Sequence, residues 1–152
     1  MHADGSEAIN IDYRTRITVE EVNAIRKAMG WSQDNPEQLQ SALHGSAFVV
    51  AAYGEEGAIG MARLIWDGGS GASIPGVLII PDYRNQGIEN EMIIKLFDYL
   101  REKLKPGFTF QVDIKAFGYQ ETMYENLGFQ VSASDRRGVP MHVCMENQNE
   151  LT

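Results

Sequence analysis

Apolar residues recur along the chain with two distinct periods, and the switches between them mark out its elements. Residues 9–13 alternate apolar and polar, which predicts a short first strand. Thr18-Val19-Glu20-Glu21 then forms a capping box, in which the Thr18 hydroxyl and the Glu21 carboxylate satisfy each other's exposed amides. Val19, Val22, Ile25 and Met29 follow at helical spacing, and Gly30 supplies the stop. A second helix starts at Asn35-Pro36, a cap followed by proline at the first helical position, and runs to about His44-Gly45. Residues 47–53 are a continuous apolar run, as expected of a strand covered on both faces. Gly54-Glu55-Glu56-Gly57 turns the chain, and residues 58–66 form the return strand of a hairpin.

The turn Asp67-Gly68-Gly69-Ser70-Gly71 leads to a strand over residues 73–80. The longest helix follows. Its row of Ile88, Met92, Leu96, Leu100 and Leu104 is flanked by Ile93 and Phe97, and Pro106-Gly107 ends it. Phe108, Phe110, Val112 and Ile114 alternate with polar residues, a half-buried strand. A short helix over residues 119–126 precedes two final strands, at 129–133 and 139–145. The order β-α-α-β-β-β-α-β-α-β-β predicts a mixed α/β (α+β) fold on a largely antiparallel sheet. Only the connection from Ile80 through the long helix to Phe108 has the crossover length that a parallel pair requires.

Composition bounds this picture without redirecting it. The 152 residues suit one core rather than two. One domain over 9–147 is expected, with a frayed leader at 1–8 and a tail at 148–152. The formal net charge of −8 argues against a nucleic-acid binder. An acidic surface draws in a cationic partner such as an amine, and it serves equally as a solubility device. No apolar run approaches the ~18 residues of a membrane span, and residues 1–7 lack the apolar core of a secretory signal. With Cys144 as the only cysteine, no intrachain disulfide is expected, and the reducing cytoplasm is the natural compartment. Three scattered histidines give no metal-ligand spacing. Cys144 and the seven methionines read as core.

The chemistry concentrates where the third hairpin strand's successor runs into the long helix. A helix opening near Gly87 leaves its first amides without intrahelical acceptors, with partial positive charge from the dipole. Arg84 adds a guanidinium able to grip phosphate, and Gly87 allows close approach to the backbone. The same residues fit an ordinary capped helix with a surface arginine.

Pro81-Asp82-Tyr83-Arg84-Asn85-Gln86-Gly87-Ile88 is similar to the signature of the GNAT acetyltransferases. Further segments resemble a small bacterial branch of that family: Gly30-Trp31, Gly60-Met61-Ala62-Arg63, Trp66-Asp67-Gly68, Tyr124-Glu125-Asn126-Leu127-Gly128-Phe129 and, loosely, Gly138-Val139-Pro140-Met141. They run in family order over roughly residues 17–145. The resemblance implies a six- to seven-stranded sheet, flanked by about four helices, whose central parallel pair splays apart to admit acetyl-CoA. The pantetheine would pair with the backbone near Leu78, Ile79 and Ile80. The pyrophosphate would sit on the amides of Asn85, Gln86, Gly87, Ile88 and Glu89, with Arg84 beside it.

Tyr124 matches the family's tyrosine beside the thioester sulfur. A phenol (pKa ~10) is reasonably matched to deliver a proton to a departing thiolate (pKa ~8.5); a core tyrosine packed on Gly128-Phe129 explains the residue too. Trp31 and Arg63 match positions lining the acceptor side. There an aromatic face could hold a cationic amine, or Trp31 could simply plug the end of the first helix. Asp67, Asp113 and His142 are open as bases or as turn and surface residues, and no base is assigned. The activity implied is transfer of an acetyl group to a primary amine of a small molecule or peptide, and a homodimer is admitted.

Two departures from the family pattern bear on donor binding. Glu89 stands where the signature ends in Gly or Ala, with Glu91 two residues on. At ~5 Å and an effective dielectric of 20, one unit-charge pair there would cost ~3 kcal/mol against a pyrophosphate. Phe117-Gly118-Tyr119 stands where the family often has an asparagine ahead of the short helix. A catalytically silent binding module with weakened CoA affinity is the alternative that Glu89 raises.

Overall fold

A computed structural model of the chain describes residues 10–131 and 139–146. The strands are β1 (Asp12–Arg14), β2 (Phe48–Gly54), β3 (Gly57–Trp66), β4 (Gly71–Ile74), β5 (Val77–Ile79) and β6 (Gln111–Ile114). The helices are α1 (Val19–Ala28), α2 (Pro36–His44), α3 (Ile88–Lys103) and α4 (Glu121–Asn126), with single 3-10 turns at Pro81–Tyr83 and Gly118–Gln120. The described sheet is mixed and six-stranded, ordered β1-β2-β3-β4-β6, with β5 also on β3.

The caps form as their residue types dictate. The Thr18 hydroxyl accepts from the Glu21 amide at 3.1 Å, while Glu21 Oε1 accepts from the Thr18 amide at 3.0 Å. Asn35 Oδ1 accepts from the Gln38 amide at 3.0 Å and so caps α2.

Period-two alternation sends the two faces of the central strands into two clusters. Val50, Ala52, Ala62, Leu64 and Ile79 meet Ile88, Met92, Ile93, Leu96 and Leu100 of α3, together with Tyr124 of α4. Met61 and Leu78 meet Val19, Val22 and Ile25 of α1 and Leu39 of α2 on the other side. Full burial of an aliphatic side chain contributes roughly 1.5–3 kcal/mol, so both helix layers hold the sheet by their apolar stripes.

The expected strand over 73–80 is divided at Pro75-Gly76 into β4 and β5, and this break organises the site. β3 carries both pieces along one edge, pairing Ile65 with Ser73 and Met61 with Leu78, all antiparallel. β4 alone continues to β6, in parallel register from Gly71↔Gln111 to Ile74↔Ile114. Lys115 N–H still reaches Ile74 O at 3.2 Å, and then the pair separates. Proline has no N–H to add to a ladder, which is why pairing is lost at that point.

The last two predicted strands are corrected. Residues 129–131 and 139–146 form none, and residues 132–138 lie outside the described residues. Met141 and Met145 are 91% and 86% exposed, and Cys144 is exposed, so these three are not core. The alternation of Val139, Met141, Val143 and Met145 fixes which face of a strand would be apolar. It supplies no partner for the backbone, and a strand needs one.

Candidate active site

The parting of β5 from β6 leaves an edge whose orientation follows from the ladder. Ile80 N–H donates to Ile59 O at 2.9 Å, so Ile80, and two residues earlier Leu78, aim their backbone groups at β3. Val77 and Ile79 therefore present theirs to the gap. Of the three backbone positions expected to pair with a pantetheine, only Ile79 faces the gap, and Val77 joins it. Gly60 permits this close approach: a Cβ there would lie 2.9 Å from Leu78 O and 3.2 Å from Met92 Cε.

At the mouth of the gap, α3 begins on Gly87, which sits at φ +83° and offers no side-chain cap. Asn85 is also left-handed, at φ +62°, a conformation asparagine tolerates better than most residues. The amides of the first turn of α3 are thus uncapped donors at the positive end of a sixteen-residue helix. Arg84 lies beside them with its guanidinium 4.5 Å from the centroid of the Tyr119 ring. Gln86 turns back to the Asp82 carbonyl at 3.2 Å.

Glu89 is turned inward. It is 1% exposed, and its Oε2 accepts from Tyr119 OH at 2.7 Å and from Gln120 Nε2 at 3.1 Å. Gln120 is wholly buried; its Nε2 also donates to Val77 O at 3.2 Å, and its Oε1 accepts from Phe117 N–H at 3.1 Å. Tyr119 is pushed up to about 12 by burial and then by its bond to Glu89. Tyr124 is 2% exposed, and burial, then the nearby Glu89 and Tyr119, raise its pKa strongly, so its hydroxyl keeps its proton.

Among the described residues, the buried side-chain polar atoms lacking a hydrogen-bond partner are Arg84 Nε, Glu89 Oε1, Asn90 Oδ1 and Tyr124 OH. All four belong to the head of α3, the turn before it, and α4. A buried polar group left unpaired costs roughly 1–3 kcal/mol, so this grouping singles out the head of α3 and α4 as a candidate binding region.

A cleft of about 1050 Å³ adjoins these elements on the β4–β6 side and is lined by Arg63, Ser73, Asp113, Tyr124 and Phe129 among others. It brings together Tyr124 and Arg63, two of the expected residues. Arg63 donates to Ser46 Oγ at 3.3 Å, and burial lowers its pKa. Trp31 does not line this cleft. Its ring stands edge-on to Phe117 at 4.8 Å with Arg26 5.4 Å from its centroid, so its own chain already occupies its surroundings.

Among the candidate bases, Asp67 is a turn residue: its carboxylate accepts from the Gly69 and Gly71 amides at 2.7 and 3.1 Å, which hold its pKa down. Asp113 lines the cleft and accepts from Gln111 Nε2 at 2.7 Å, while His142 lies in the exposed segment after the sheet. Tyr119 and Gln120 as partners of Glu89, and Gln120 as the partner of Val77, are missed by sequence reasoning. No local spacing signals a contact across thirty-one residues, from Glu89 to Gln120.

A parallel pair that parts beside a helix N-terminus and a buried tyrosine is the arrangement that the GNAT resemblance implies. The chain belongs to the GNAT acetyltransferases: a model of the acetyltransferase (GNAT) domain matches residues 14–145. It is 28% identical to Histone acetyltransferase TAP1 of Glycine max over 134 residues, 81% of this chain and 56% of that protein. The chain thus spans about half the length of the curated relatives it matches.

Among solved structures, a probable acetyltransferase of meticillin-resistant Staphylococcus aureus superposes with a TM-score of 0.77 at 21% identity, covering 90% of this chain and all of that one. Aminoglycoside N-acetyltransferase AAC(6')-Iy in complex with CoA superposes with a TM-score of 0.61 at 14% identity, covering 94% of this chain and 98% of that one. Among the described residues no helix is long and apolar enough to cross a membrane.

Proposed function

We propose that this chain is an N-acetyltransferase that moves an acetyl group from acetyl-CoA to a primary amine of a small molecule or peptide, by direct attack in a ternary complex. The observation that carries the proposal is the grouping of unpartnered buried polar atoms, Arg84 Nε and Tyr124 OH among them, around the uncapped head of α3. Acetyl-CoA would supply an acyl carbon activated by its bond to sulfur. Arg84 and the amides following Gly87 grip its phosphates, and the backbone of Val77 and Ile79 aligns its arm. Arg63 and its neighbours hold the acceptor in the cleft. As the N–C bond forms and the C–S bond breaks, Tyr124 gives its proton to the sulfur, and the proton that the amine nitrogen sheds passes to water, from which the phenol is reprotonated.

The second reading, a catalytically silent module, is favoured by one observation: Glu89, Tyr119 and Gln120 stand in the region between β5 and α4 that the donor arm would need. Calorimetric titration with acetyl-CoA separates the two, followed by thiol release with a panel of small amines and peptides. Binding weakened roughly 10- to 100-fold in Arg84→Ala, from the loss of ~1.5–3 kcal/mol in hydrogen bonds to charged oxygens, is the expected result. Absence of any heat or thermal shift at millimolar donor would reject the enzyme.

A further inference from the structure

Gln120, in the turn that follows β6, reaches across to β5. Its Nε2 donates to Val77 O, on the gap-facing edge of β5, at 3.2 Å; its Oε1 accepts from Phe117 N–H, beyond the end of β6, at 3.1 Å. A primary carboxamide presents the same N–H and C=O pair as a backbone peptide. The Phe117 bond caps the turn that carries Gln120, and the Val77 bond takes up a place on the gap-facing edge of β5. The arrangement is fixed from behind, because the same Nε2 meets Glu89 Oε2 at 3.1 Å and Tyr119 OH bonds that oxygen at 2.7 Å. Phe117 lies against Gly76, where a Cβ would come within 3.2 Å of its ring, and against Trp31. Phe117 is thus itself held in place.

The arm of an acyl-CoA carries secondary amides, which compete for the same carbonyl of Val77. We propose that the Gln120 carboxamide is an internal competitor for the donor's amide-bearing arm, occupying its pairing position on β5 and thereby setting donor affinity. This rests on the acyl-CoA reading given above. Donor entry then requires Gln120 to leave Val77 O, and Glu89, with its second oxygen unpartnered, is the acceptor that retains the displaced carboxamide. The competition acts on the amide-bearing arm alone. The nucleotide end is held by Arg84 and the backbone amides of α3, which Gln120 meets only through the side chains of Glu89 and Tyr119.

The test compares wild type, Gln120→Ala and Gln120→Asn by calorimetry with CoA, with pantetheine and with adenosine 3′,5′-bisphosphate. Asparagine keeps the amide but is one methylene too short to reach both Val77 O and Phe117 N–H, so it serves where alanine unfolds the short helix. CoA and pantetheine are expected to bind about tenfold more tightly to both variants, with adenosine 3′,5′-bisphosphate unchanged, the gain being ~1.4 kcal/mol. Equal or weaker CoA binding by folded variants, with wild type binding normally, would overturn the competitor while leaving the acetyltransferase standing. Failure of every form to bind CoA would overturn both.

Discussion

Replacing Tyr119 with phenylalanine deletes one oxygen and tests how the buried carboxylate of Glu89 is held. Tyr119 OH donates to Glu89 Oε2 at 2.7 Å, the shortest of the bonds to that group. A hydrogen bond to a charged acceptor contributes ~1.5–3 kcal/mol. Tyr119 is 37% exposed, and solvent screening brings the contribution to ~1–2 kcal/mol, or a melting temperature lower by ~2–8 °C in a chain of this size.

The sign of the pH dependence follows from the proton count. Between pH 10 and about 12 an unfolded tyrosine has ionised while native Tyr119 keeps its proton, so native protein binds more protons and loses stability as pH rises. The phenylalanine variant lacks that loss. Urea denaturation of both proteins from pH 7 to 11 should therefore show the full gap up to pH 9 and a narrowing gap above pH 10. A variant as stable as wild type at pH 7–8, or a gap that widens with alkali, would refute the account of Glu89 as a carboxylate held by Tyr119.

Tyr124→Phe should lower kcat by roughly 10²- to 10⁴-fold, the range for loss of a general acid. It should leave stability unchanged or raise it by up to ~1 kcal/mol, because the hydroxyl removed is buried without a partner; parallel kinetics and thermal melts check both halves, and undiminished turnover would remove the acid role. Gly60→Ala should destabilise by ~1–3 kcal/mol through overpacking, since the new Cβ would stand 2.9 Å from Leu78 O. Because β5 is displaced, it should also weaken donor binding, as read by denaturant midpoint and calorimetry; an unchanged midpoint would mean that β3 and β5 part freely.

Local chemistry was enough to determine much of this protein. The capping box at Thr18, the Asn35-Pro36 start and the i, i+4 row of α3 are set by residues within a turn of one another, so they are legible without tertiary knowledge. The start of α3 near Gly87 could be read the same way, and the family was legible as a resemblance of segments in order along the chain. The final strands could not, because alternation specifies a face and only a pairing edge specifies a strand. Nor could the fate of Glu89. Its position in the first turn of α3 leaves open which way its carboxylate turns. Its burial under Tyr119 and Gln120 depends on a return of the chain thirty residues later. The sequence thus determined where the proposed donor's phosphates would find a helix N-terminus. The tertiary structure decided what already occupies the passage beside it, since the desolvation and pairing of a charge depend on neighbours brought close only by the fold.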